Sequence, residues 1–191
     1  DRHFETAALA IPPWSNYYHW TVECLIRVRL LEIHGEATGT YPAVLVPEDR
    51  SSWMDETLEI LDYSGPIIGF EGGIASVNTL VVPTYPDPTP AECRWLRDRM
   101  RTGGGVDISE SRDRVFIARD DATVRRISNR ATVNRVLNRY NIESYLLSEL
   151  SVCEQIELFS NAELVVAPHG AGLTNILYGD DLTILELFGN K

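Results

Sequence analysis

Lysine is almost missing from this 191-residue chain: Lys191 is the only one, and every other basic residue is arginine. Cysteine is scarce too, with Cys24, Cys93 and Cys153 far apart and no CxxC among them. An odd count at wide spacing argues against a disulfide framework or a zinc knuckle and suits a reducing compartment. No apolar run approaches the roughly 20 residues that a membrane span needs, and no signal peptide is visible, although a chain trimmed at its N-terminus would have lost one. GxGxxG, the P-loop lysine motif and HExxH are absent, so the usual dinucleotide, P-loop and zinc-hydrolase readings have no support. His19, His34 and His169 show no metal-ligand spacing. Internal repeats and low-complexity tracts are missing as well.

What is present is a 44% hydrophobic chain with a net charge of −11, from 17 basic and 28 acidic residues. That hydrophobic fraction supports a packed core. The acidity argues against a nucleic-acid partner, which needs a broad basic face. An acidic, lysine-poor surface suits a salt-rich cytoplasm and hence a halophile, although a GC-rich genome would also favour arginine over lysine. The chain opens on Asp1 rather than Met, and its last strand-like run stops three residues before the end. A chain truncated at both ends is therefore expected.

Residues 15 to 34 read as a helix capped by Ser15 or Asn16, with Tyr18, Val22, Leu25 and Ile26 at helical spacing. HGEATGTYP breaks that pattern. AVLVPE is a short strand and Trp53 to Leu61 a second helix. PIIGF and NTLVVP are two apolar runs separated by Gly72 and Gly73. TYPDPTP leads into a helix over Ala91 to Met100. Three glycines in RTGGGVDISES, residues 101 to 111, mark a hinge, giving domains over 1–104 and 105–191. Beyond the hinge, RVFIA is a strand, and Thr132 to Tyr140 a helix with Val133, Val136, Leu137 and Tyr140 on one face. SYLL is a short strand. Ser151-Val152-Cys153-Glu154 is a capping box for a helix whose apolar side is Val152, Ile156 and Phe159. ELVVA is a strand, GLTNILY opens a helix, and TILELF is a strand. Alternation of this kind predicts an α/β fold of parallel sheets flanked by helices.

VVAPHGAGLTN is thus a strand, a tight turn and a helix start. Gly170 and Gly172 let backbone approach a ligand, and helix-start amides beyond a strand's carboxyl end favour an anion such as a diphosphate. Thr174 and His169 could add donors. A tight bend that uses glycine for sterics alone fits the same residues. Arg119 follows the carboxyl end of RVFIA, with Arg125, Arg126 and Asn129 after it. Such arginines bind phosphate bidentately, or pair with Asp120 and Asp121 in a solvated loop. Glu186 interrupts the apolar TILELF, either to accept ribose hydroxyls or to face water from an edge strand. Asn16, His19, Glu23 and Arg27 fall on one helical stripe. His19 could act as a general base tuned by Glu23, or the two could form an i,i+4 pair on a helix surface.

NYYHWTVE, RVFIARDDATVRRISNR, SVCEQIELFSNAELVVAPHGAGLTNILY and TILELF resemble, in that order, glycosyltransferase family 61. The match is close over residues 112 to 188 and looser over 15 to 33. The resemblance implies two Rossmann-like halves of the GT-B type facing each other across a cleft. The C-terminal half would bind a nucleotide sugar, usually a UDP-sugar, and the N-terminal half would present a glycan, lipid-linked or protein hydroxyl acceptor. It implies inversion at the sugar, no cofactor, and no metal held by a DxD pair. Carried over, Arg119, Arg125 and Asn129 lie beside the donor pocket. His169, Gly170, Ala171, Gly172, Leu173, Thr174 and Asn175 form the turn around the diphosphate, Glu186 lies on the ribose-side strand, and His19 and Glu23 face the reaction centre. Glycan building on the cytoplasmic side, with peripheral membrane association, follows as an expectation. Family members usually continue past the strand that holds Glu186, and the half before the hinge is short here, so a complete six-strand half is not expected. A member that binds nucleotide or glycan without transfer is the second reading. A sugar-nucleotide epimerase is the third, and it lacks both the glycine fingerprint and a Tyr-x-x-x-Lys pair.

Overall fold

The computed structural model describes residues 2–10, 16–84, 88–109 and 111–189. Ser15, the middle of TYPDPTP, Glu110 in the hinge and Lys191 lie outside the described residues. The chain divides into two compact units, Asp1–Gly103 and Gly104–Lys191. Each is a Rossmann-like α/β unit built on a four-stranded parallel sheet.

The first unit contains β1 (Arg2–Leu9), β2 (Ala43–Pro47), β3 (Ile67–Phe70) and β4 (Ala75–Leu80), in the order β3-β2-β1-β4. β1 was not foreseen, because RHFETAAL is short of β-branched residues; it nevertheless takes a central place. In β2 the residues Ala43 to Val46 are all buried, as strands covered on both faces are. The predicted helix over 15 to 34 is observed as a continuous run of α1 (Tyr17–His19), a π-helical segment (Trp20–Leu25) and α2 (Ile26–Thr38). Val22, Leu25 and Ile26 are buried as expected, whereas Tyr18 is exposed. The helix does not break at Gly35. The ring of Tyr41 occupies the space a Cβ would fill there, so this glycine serves close packing within α2, and the left-handed Gly39 (φ 73°) ends the helix. α3 (Ser52–Leu61) packs on this run, with Trp20 Nε1 donating to Thr57 Oγ1 at 2.8 Å. α4 (Pro90–Gly103) extends into the expected hinge. A Cβ on Gly103 would overlap the carbonyl oxygen of Ile60. The first glycine of the run is therefore a packing contact at a helix end, and Gly105 (φ 60°) makes the turn.

The second unit contains β5 (Asp113–Ile117), β6 (Glu143–Tyr145), β7 (Ala162–Pro168) and β8 (Thr183–Leu187), in the order β6-β5-β7-β8. Between them lie α5 (Arg130–Arg139), a 3-10 turn (Leu147–Glu149), α6 (Val152–Asn161) and a 3-10 helix (Ala171–Tyr178). The capping box at α6 is formed: Ser151 Oγ accepts from Glu154 N at 3.2 Å, and the Glu154 carboxylate accepts from Ser151 N at 2.7 Å. Val152, Ile156 and Phe159 are fully buried. On α5 only Leu137 is buried and Val133 packs beside it, while Val136 and Tyr140 of the expected apolar face are exposed. The helix expected at GLTNILY is 3-10 rather than α. Eight residues confined between Gly170 and Gly179 gain little from α-helical propagation, and 3-10 geometry suits such short pieces. β5 pairs with β6 on one side and β7 on the other, so the connections leaving β5 and β7 diverge. Ligands of doubly wound sheets sit at such a switch point.

Candidate functional site

β5 is fixed by its apolar residues: Val115, Phe116 and Ile117 are buried, and Ala118 N donates to Tyr145 O at 2.8 Å. The next residue is Arg119, at the switch point. Its guanidinium lies against Gly170, where any Cβ would overlap it. Gly170 has φ 167°, an extended backbone open to any residue, so the glycine is required for the arginine's space and not for the bend. The Nε of Arg119 and the Oγ1 of Thr174 are both buried without a hydrogen-bond partner among the described residues. Buried donors of this kind are uncommon in finished proteins, and two of them on one turn, one in it and one lying against it, suit a bound polar group.

The turn is held from behind. Asn175 is fully buried and donates to Gln155 Oε1 at 2.9 Å. Gln155 in turn donates to the carbonyls of Leu147 and Leu150 at 3.0 and 3.1 Å. Asn175 therefore anchors the turn to α6. A Cβ on Gly172 would meet Leu147 at 3.0 Å, which makes that glycine a packing position too. Ala171 and Leu173 are half-buried, and Leu173 N donates to Gly170 O at 3.0 Å.

His169 and Glu186, 17 residues apart, meet across β7 and β8: Nδ1 lies 2.6 Å from Oε1, with side chains 54% and 32% exposed. A proton on Nδ1 would leave Nε2 for a ligand. Phe188 stacks on the same imidazole, with centroids 5.3 Å apart and planes at 23°. Arg125, Asn129 and His169 line one cavity of about 250 Å³, together with Ile127, Val133 and Phe188. Arg125 sits in the left-handed region (φ 57°), uncommon for a residue with a side chain.

Sequence reasoning missed three contributors. Phe188 just past β8 carried a weak signal, an aromatic at a strand end. Gln155 was read only as part of a helix. Arg130 carried no local signal: it lies 4.7 Å over the Phe116 ring and donates to Ser144 Oγ at 2.7 Å, both contacts made only by the fold.

His19 and Glu23 belong to the first unit. His19 Nδ1 lies 2.6 Å from Glu23 Oε1, with side chains 23% and 15% exposed, so the pair is largely shielded. Asn16 caps the helix start by accepting from His19 N at 3.1 Å. Glu23 lies in the π-helical segment, a feature often found at functional sites. Neighbouring Cys24 is no nucleophile: burial pushes its thiol up to about 12, so it stays protonated. Among the described residues no group of three or more His, Cys, Asp and Glu is placed to hold a metal ion. Among the same residues, no helix is long and apolar enough to cross a membrane.

No curated protein matches the chain. The family model described as Glycosyltransferase 61 matches residues 17–185.

Proposed function

The chain belongs to glycosyltransferase family 61 and is thus of the sugar-transferring class, and we propose that its second unit grips the diphosphate of a nucleotide sugar, a UDP-sugar in the first instance. The observation that carries this is the Arg119 guanidinium lying on Gly170 at the β5/β7 switch point, its buried Nε without a hydrogen-bond partner among the described residues. A diphosphate oxygen is a natural acceptor for that donor and for the Thr174 hydroxyl. His169, braced by Glu186, would add a third contact. Fixed donors of this kind stabilise the charge that builds on a departing diphosphate, the task a metal performs elsewhere. The transfer is read as metal-independent and inverting.

In the first unit His19 is assigned as the base. With Nδ1–H donating to Glu23, Nε2 takes the proton of the acceptor hydroxyl. The acceptor oxygen then bonds to the anomeric carbon as the bond from that carbon to the phosphate oxygen breaks. The electron pair leaves with the nucleoside diphosphate, and one displacement inverts the centre. The acceptor is a glycan, lipid-linked or protein hydroxyl. Cys24, Cys93 and Cys153 are not joined to one another in disulfides, which supports a reducing cytoplasm as the place of reaction.

Calorimetric titration with UDP, with and without chelator, tests the donor site. Binding should survive chelator, and Arg119→Ala should weaken it about 10- to 100-fold, the range for a lost charge-assisted bond. Strict dependence on a divalent metal would sink the mechanism. For the base, His19→Ala should lower turnover by about 10² or more. If His19→Ala and Glu23→Ala both keep near wild-type turnover, the base lies elsewhere.

A further inference from the structure

α5 begins with a residue that its own helix disfavours. Arg130 is the first residue of the helix, directly after the N-cap Asn129. Unpaired amides give a helix start a partial positive charge, so a guanidinium there is repelled. The side chain nevertheless stays in: it is 26% exposed and turns back onto the sheet. It lies 4.7 Å over the Phe116 ring, Nη2 donates to Ser144 Oγ at 2.7 Å, and Nε stands 3.6 Å from Asp120 Oδ2. Nη1 is buried and has no hydrogen-bond partner among the described residues. A cation at the wrong end of a helix and a buried N–H without an acceptor both cost stability. An apolar side chain of similar length would cover Phe116 without either cost.

What the guanidinium does that an apolar chain could not is join three pieces. Phe116 belongs to β5, Ser144 to β6, and Asp120 is the residue after Arg119. Arg130 itself closes the far end of segment 120–129. That segment is thus pinned at its base, and Ile127 within it packs against the same Phe116 cluster. Asp120 is half exposed, so its ion pair alone is weak. Fixed geometry comes from one planar group that holds three partners. We infer that Arg130 is a positioning residue: it touches no ligand, and by holding Asp120 it fixes the backbone from which Arg119 reaches Gly170. The inference rests on the donor-site reading given above and adds the residue that orders its arginine.

Calorimetric titration of the whole chain with UDP and with inorganic pyrophosphate tests it, alongside melting temperatures. Arg130→Met keeps a cover over Phe116 and removes the fork. It should weaken both probes about tenfold, while the melting temperature holds or rises. Arg130→Lys keeps the charge without the fork and should not restore affinity. Because Arg130 acts through Arg119, Arg130→Met should cost nothing further in an Arg119→Ala background. Ser144→Ala, at an exposed position, removes one anchor and should weaken both probes by a smaller factor. If Arg130→Met and Ser144→Ala bind both probes as the parent does while Arg119→Ala loses them, Arg130 merely covers Phe116, and the diphosphate site stands. Equal losses with and without Arg119 would mean direct contact with the ligand, and a melting temperature that falls in step with affinity would mean general loosening; either overturns the inference. If the parent chain binds neither probe, both readings fall.

Discussion

Gly170 separates two reasons for which a glycine is used. Its backbone is extended, so alanine costs nothing in conformation, yet a methyl group there would run into the Arg119 guanidinium. That guanidinium is the far end of a flexible side chain and can swing away. Folding should therefore tolerate Gly170→Ala while binding does not. UDP affinity should fall about as far as in Arg119→Ala, with the melting temperature within a degree or two of the parent's. A variant that keeps full UDP affinity would show that Arg119 is not held for the ligand. The same residue shows where sequence reading stops. HGAGLTN announced small residues at a tight turn after a strand, but not that one glycine serves an arginine 51 positions upstream, another packs on Leu147, and Asn175 turns inward to Gln155. Such pairings depend on which strands become neighbours, and no local pattern encodes that.

Elements with strong local signals were legible. The Ser151–Glu154 box, the apolar stripe of α6 and the strands around Val115 and Val165 could be read because capping chemistry and periodicity are local. β1 could not, since Phe4, Thr6 and the two alanines give little strand signal. α2 was cut short because Gly35 looks like a stop, and only the Tyr41 ring explains it. The capping box also carries a pH dependence. Hydrogen bonds from the Ser151 backbone and hydroxyl hold the Glu154 carboxyl below its ordinary 4.5. The folded value is thus lower than the unfolded one. The stabilisation is complete above about pH 4.5 and is lost as pH falls through the lowered value. Glu154→Gln should melt lower than the parent at pH 7, and the gap should close below pH 4.5. A gap that stays constant down to pH 3 would mean that the charge contributes nothing at this helix start. Ser151→Ala should cost about 1 kcal/mol, the usual effect of losing a cap.

For the molecule as a whole the dominant quantity is its charge of −11. Carboxylates repelling one another destabilise a folded chain, and salt shortens their reach from about 8 Å at physiological strength to about 3 Å at 1 M. The melting temperature should rise as KCl increases from about 0.1 to 1 M. A flat or falling response would show that repulsion among the acidic groups does not limit the stability of the fold. The brace behind the turn over residues 169–175 stands apart from all this. It is one carboxamide joined to another, Asn175 to Gln155, tied down by two main-chain oxygens. None of these groups gains or loses a proton anywhere in the range where the fold survives. The floor of that turn is thus held by neutral groups alone, whose pairing does not depend on any charge.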